Sequence, residues 1–251
     1  TSQSVTGVGF QPDWVWLKER NGTEAHNLYD SNRGIFKRLS SNTTGAEYSS
    51  NTQLTAFGND GFSVGSSDAI NDAGNTMVGW NWKAGGTAPA QTYSVKVVSD
   101  SGNKYRFDDF GTSAVTINLQ EGGTYTFDQS DSSNNGHPLR FATQANGANS
   151  SQYTTGVTTN GTPGQAGAYT RITVAASAPT LFYYCTAHSG MGGQANTNTT
   201  FGSSNFSGSI QSTVSASPTA GFSIVSWTGS GSNATIGHGL GSVPKMIIVK
   251  N

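Results

Sequence analysis

The chain has 251 residues, 33 glycines, 11% charged residues and a formal net charge of −1. With no basic run, phosphate neutralisation has little to work with, so nucleic-acid binding is set aside. No apolar stretch approaches the ~18 residues of a membrane span, and one cysteine excludes an internal disulfide framework. Disorder is argued against by 12 Phe, 9 Tyr and 5 Trp, enough aromatic bulk to give small β-domains a packed core. The abundance of Ser, Thr, Asn and Gly is unlike a cytosolic enzyme, and no enzymatic activity is expected. A chain opening at Thr1 without methionine or signal peptide reads as processed, or as a segment of something longer.

Helical periodicity is essentially absent. Short β-branched and aromatic runs alternate with Gly, Asn, Ser and Asp clusters, the signature of all-β sandwiches and barrels. Residues 14–18, 34–39, 53–57, 62–64 and 76–83 read as strands, with Asn59-Asp-Gly61 as a turn between two of them. In the last of these, Met77, Gly79, Asn81 and Lys83 share one face, and Val78, Trp80 and Trp82 the other. The expected organisation is a sandwich at 1–86 lacking a first strand, a linker at 87–91, a second sandwich at 92–197, a linker at 198–208, and a β segment at 209–251.

Within the second sandwich, residues 181–185 form an aromatic strand ending at Cys185, and a tight turn follows. That turn can aim Cys185, His188 and Met191 at one point, while His137 in Gly136-His-Pro-Leu-Arg140 arrives from another strand. A thiolate, two imidazoles and a thioether are the donors of a mononuclear blue-copper site. The competing reading is structural: free Cys packs as a small hydrophobe, His188 is a turn residue and Met191 fills a gap.

The order Val115-Thr-Ile-Asn-Leu-Gln-Glu-Gly-Gly-Thr-Tyr-Thr-Phe127, Gly136-His-Pro-Leu-Arg-Phe141, Gly167-Ala-Tyr-Thr-Arg-Ile-Thr-Val174 and Cys185-x-x-His188-x-x-Met191 resembles a cupredoxin. The resemblance implies a Greek-key sandwich over about 92–197 with His137, Cys185, His188 and Met191 as ligands of one type-1 copper. Many cupredoxins follow the first histidine with an asparagine that ties the two ligand loops together, and here Pro138 stands there. Outer hydrogen bonds orient ligands, so this departure touches metal affinity and potential.

The C-terminal stretch Gly237-His-Gly-Leu240, Pro244 and residues 246–250 parallels Gly7-Val-Gly-Phe10, Pro12 and residues 14–18. Such self-similarity marks repeat architecture. Either the chain is a window on tandem domains, or residues 209–251 complete a neighbouring subunit's sheet by strand addition, through Phe222, Ile224, Trp227, Met246 and Ile248. A head-to-tail contact of this kind builds open fibres unless it closes a ring. The third reading is a separate small domain that merely looks alike. Residues 1–86 and 209–251 resemble Gly-rich, lectin-like or jelly-roll modules repeated in tail-fibre and virion-surface proteins of marine phages. The phrases that carry this include Gly237-His-Gly-Leu-Gly241, Met246-Ile-Ile-Val-Lys-Asn251 and Gly79-Trp-Asn-Trp-Lys83. They imply an extracellular or virion-surface structural subunit that partners itself; the alternative is an electron-transfer protein with accessory domains. Neither a redox partner nor a surface glycan is identified by any motif.

Four further signals are set aside. Gly61-Phe-Ser-Val-Gly65 fits the G-x-S-x-G nucleophile pattern, but no helix follows it in the sequence, so Ser63 reads as an outward strand residue. The Asp128–Gly136 loop has alternating oxygen groups, which turn chemistry explains without calcium. The sequons at Asn21, Asn42, Asn149, Asn160, Asn198, Asn205 and Asn233 follow from composition. His26 and His238 read as loop residues.

Overall fold

The computed structural model describes residues 1–86, 88–198 and 202–251. The protein is all-β, and its Cα packing forms two units. Thr1–Gly86, Ser215–Val225 and His238–Asn251 make the first, and Thr87–Val214 and Ser226–Gly237 the second.

In the first unit the strands are Gln3–Thr6 (β1), Trp14–Glu19 (β2), Asn27–Asp30 (β3), Lys37–Arg38 (β4), Tyr48–Ser49 (β5), Leu54–Gly58 (β6), Gly61–Val64 (β7) and Met77–Trp82 (β8), with one helical turn, Asp68–Asn71 (α1). They form sheets of order β1-β7-β6 and β3-β2-β8 and a β4-β5 ribbon. Alternation in β2 turns Val15 and Leu17 inward, where they meet Tyr29, Leu54, Phe62, Val64 and Ile70. The opposite face sets Trp14 against Trp82 and Trp16 against Trp80, and Phe222 stacks on Trp14 and Trp82 at ring separations of 5.5 and 6.1 Å. The Asn59-Asp60 turn joins β6 to β7 as the sequence suggests. Asp60 accepts from the N–H groups of Gly7 and Gly9, which hold its carboxyl below the usual range. Both glycines have positive φ, 88° and 83°, a conformation glycine adopts without steric cost.

Several sequence expectations change here. The unit does have an opening strand, since β1 pairs with β7. Residues 34–39 are mostly turn: Phe36 has φ 70°, Lys37–Arg38 pair with the two residues of β5, and Leu39 makes a single bridge to Leu28. A helical turn, α1, does follow Gly65, but Ser63 lies in mid-strand with its hydroxyl on Ser4, 3.0 Å away.

In the second unit the strands are Ala90–Ser99 (β9), Asn103–Phe107 (β10), Ile117–Gln120 (β11), Thr124–Asp128 (β12), Leu139–Ala142 (β13), Gln152–Tyr153 (β14), Val157–Asn160 (β15), Tyr169–Thr173 (β16), Leu181–Cys185 (β17) and Gly193–Asn198 (β18). Two five-stranded sheets result, of order β10-β9-β12-β16-β15 and β11-β18-β17-β13-β14. Period-two alternation turns Tyr93 and Val95, Tyr105 and Phe107, Tyr125 and Phe127, and Leu139 and Phe141 inward, all fully buried in one shared core. Phe127 contacts Tyr93, Phe107 and Phe141 with centroids 5.4 Å away in each case, within the range where ring geometry adds to area burial.

Three more strands follow: Ser203–Asn205 (β19), Ser212–Ser217 (β20) and Phe222–Trp227 (β21), in the order β19-β20-β21. The described part of the expected 198–208 linker is therefore not a free connection. Tyr93 donates to the Ser204 carbonyl at 2.8 Å, the Tyr125 hydroxyl meets Ser203 Oγ at 2.6 Å, and the Asn118 N–H reaches Ser204 Oγ at 2.8 Å. Residues 246–250, expected as a strand, form none: among the described residues no edge takes up their N–H and C=O groups. The C-terminal Gly-x-Gly stretch also differs from its N-terminal counterpart: the Gly237 N–H goes to the Ser207 carbonyl, not to a carboxylate.

Candidate metal centre

The register of β13 on β17 sets Leu139 directly opposite Cys185. His137 lies two residues before Leu139, so its loop arrives beside the Cys185 sulfur. Cys185 Sγ stands 3.8 Å from His137 Nδ1 and 3.7 Å from His188 Nδ1. The imidazole centroids are 4.6 Å apart, and one donor atom from each of the three residues falls within 4.8 Å of the others. Metal–sulfur and metal–nitrogen bonds of about 2.3 and 2.0 Å at ~120° would separate sulfur and nitrogen by about 3.7 Å. Both sulfur–nitrogen separations match that value.

Cys185 is buried, His137 half-buried and His188 exposed. Met191 is only 1% exposed and belongs to the same core cluster as Cys185. Burial, and then the charge of His188, push the His137 imidazole below its ordinary pKa, which favours the neutral form that a metal requires. Behind Met191 the chain runs tight under β17. A Cβ on Gly192 would sit 1.7 Å from the Tyr183 carbonyl oxygen, so that position excludes any side chain. The two ligand loops are tied main chain to main chain, with the Thr186 N–H donating to the Pro138 carbonyl at 3.1 Å. Asparagine is absent at 138, yet the loops are joined.

The other singled-out residues lie elsewhere. Asp128 and Asp131 accept from the N–H groups of Ser130 and Ser133, so turn capping uses the carboxylates of that loop. His26 Nδ1 accepts from Trp16 Nε1 at 2.8 Å, and His238 Nδ1 from the Leu240 N–H. Phe222 and Ile224 are half-buried in β21, whereas Trp227, Met246 and Ile248 are exposed. Sequence reading missed Tyr105 and Gln129, which bond to the His137 loop. Parity offered a signal: Gln129 continues the inward series Tyr125 and Phe127, and an amide at such a position needs a partner.

An all-β chain with a clustered histidine–cysteine–histidine group is the class that fold and site define. The chain belongs to the family described as Domain of unknown function (DUF7483), whose model matches residues 1–104 and 193–251. His137, Cys185, His188 and Met191 lie between the two matched segments. Comparison with curated proteins and with solved structures returns no match. Among the described residues no helix is long and apolar enough to cross a membrane.

Proposed function

We propose that this chain is a structural subunit of an extracellular or virion-surface fibre, joined head to tail, whose second unit holds one copper ion. The observation that carries the copper assignment is the thiolate–imidazole geometry, 3.8 and 3.7 Å between Cys185 Sγ and the two Nδ1 atoms. Cys185 would supply the thiolate, His137 and His188 the neutral imidazoles, and Met191 a thioether. A copper ion there would supply one-electron redox chemistry. The chain contributes a donor set already spaced for the metal, with the sulfur shielded from water. Self-association is supported by Met246, Ile247, Ile248 and Val249, exposed at 70, 73, 48 and 66%. Such a contiguous apolar stretch on a soluble surface marks an interaction segment.

Electron transfer is the second reading, favoured by the exposure of His188, since an exposed ligand edge gives an electron a short way in. Copper(II) titration followed by visible absorption tests the metal assignment. An intense band near ~600 nm is expected from thiolate-to-copper charge transfer, and Cys185→Ser removes it. A colourless, metal-free wild-type protein would sink the copper assignment and leave the sandwich as scaffold.

A further inference from the structure

Pro138 has no side-chain donor and no N–H, so the His137 loop must be held by other groups. Two buried residues do this. The Tyr105 hydroxyl donates to the His137 carbonyl at 2.8 Å, and Gln129 Nε2 donates to the same oxygen at 2.8 Å. Two donors occupy both lone-pair positions of one carbonyl. The Gln129 amide also reaches past the proline, its Oε1 accepting the Leu139 N–H at 3.1 Å. One amide thus brackets Pro138 on either side. Gln129 is itself fixed in the core, its backbone N–H on the Ala168 carbonyl and its own carbonyl taking the Gly164 N–H.

Tyr105 reaches further. Its backbone N–H donates to the Met191 carbonyl at 2.9 Å, so one residue of β10 touches both the His137 loop and the end of the Cys185–Met191 loop. The ring is fully buried, and Gln129 is 1% exposed, so neither brace is exchanged with water. The neighbouring Lys104 ammonium bonds the Gly190 carbonyl of the same loop.

We infer that Tyr105 and Gln129 are positioning residues for the candidate metal centre, fixing His137 against Cys185 in a loop where Pro138 stands. The inference rests on the copper reading for its functional sense, while the brace itself can be measured without metal. Outer hydrogen bonds that orient ligands typically change metal affinity by about 10–100-fold when removed.

The test compares Tyr105→Phe with Tyr93→Phe in the full chain. Tyr93 is the control because it too loses a buried hydroxyl of the same core, one bonded to the Ser204 carbonyl and not to a ligand loop. Two quantities are read: copper(II) affinity by titration, and the native-state alkylation rate of Cys185, the single thiol, in metal-free protein. Tyr105→Phe is expected to weaken copper binding by about 10-fold or more and to raise the alkylation rate by a similar factor, with Tyr93→Phe near wild type in both. If Tyr105→Phe matches either wild type or Tyr93→Phe in both readouts, the residue only packs and the inference falls. If wild-type protein takes up no copper, the copper reading fails by itself, and the alkylation comparison alone decides whether Tyr105 braces the loop.

Discussion

Tyr125→Phe tests whether β19 belongs to the second unit or is a linker. The Tyr125 hydroxyl accepts the Gln120 N–H at 2.8 Å and shares a bond with Ser203 Oγ at 2.6 Å. Tyr125, Gln120 and Ser203 are exposed by 0, 2 and 3%, so water cannot replace the lost oxygen. Losing a partner at a buried N–H costs about 1–3 kcal/mol, and the lost bond to Ser203 adds about 1 kcal/mol. The ring stays, so no large cavity opens, and the whole effect comes to about 2–4 kcal/mol. For a unit of roughly 140 residues, at about 3 °C per kcal/mol, Tm should fall by about 6–12 °C. Differential scanning calorimetry, with near-ultraviolet circular dichroism following the tyrosines, measures it. Tyr93→Phe removes one donor from the Ser204 carbonyl and should cost about 1–2 kcal/mol. A shift under about 2 °C in Tyr125→Phe would mean that Ser203–Asn205 does not dock on the sandwich, and the argument for that strand would be refuted.

The remaining expectations concern protons and association. His137 has a folded pKa below its ordinary 6.5, so between those values the unfolded chain binds more protons than the folded one. Stability of the metal-free protein is therefore complete above about pH 6.5 and declines as pH falls through the folded value. Thermal melts of His137→Gln should lack this component, and an unchanged difference between pH 7 and pH 5 would contradict it. Metal affinity should also fall over the same acid range, because the imidazoles and the thiol must lose protons to bind. Replacing Ile247 and Val249 together by Asp should leave both units folded and abolish self-association in analytical ultracentrifugation. Undiminished oligomers would remove the exposed apolar stretch from the assembly.

Much of the site was legible before any coordinates. The Cys185 and His188 spacing is local, so one turn following one strand suffices to bring them together; Met191 lies buried in the same core cluster as Cys185. His137 was legible through its own loop, and β13 pairing with β17 brings that loop to the sulfur. Tyr105 and Gln129 were not, because each meets His137 through a contact that no local motif encodes. Tyr105 is 32 residues away in sequence and Gln129 is 8. The family match covers residues 1–104 and 193–251, on either side of the histidine–cysteine–histidine cluster.

By itself the sequence determined what depends on neighbours along the chain. Alternation in residues 14–18 and 76–83 defines inward and outward faces, Asn59-Asp-Gly61 marks a hairpin, and the aromatic content supports a β core. Tertiary structure decided what depends on a partner edge. Gln3–Thr6 is a strand because β7 accepts it, Lys37–Arg38 is short because β5 is, and Ser203–Asn205 is a strand because β20 pairs with it. Met246 through Lys250 has as strong a β propensity as Trp14 through Lys18 and forms no strand. A β-strand is satisfied by hydrogen bonds to residues far away in sequence, so propensity proposes a strand and only an available edge makes one.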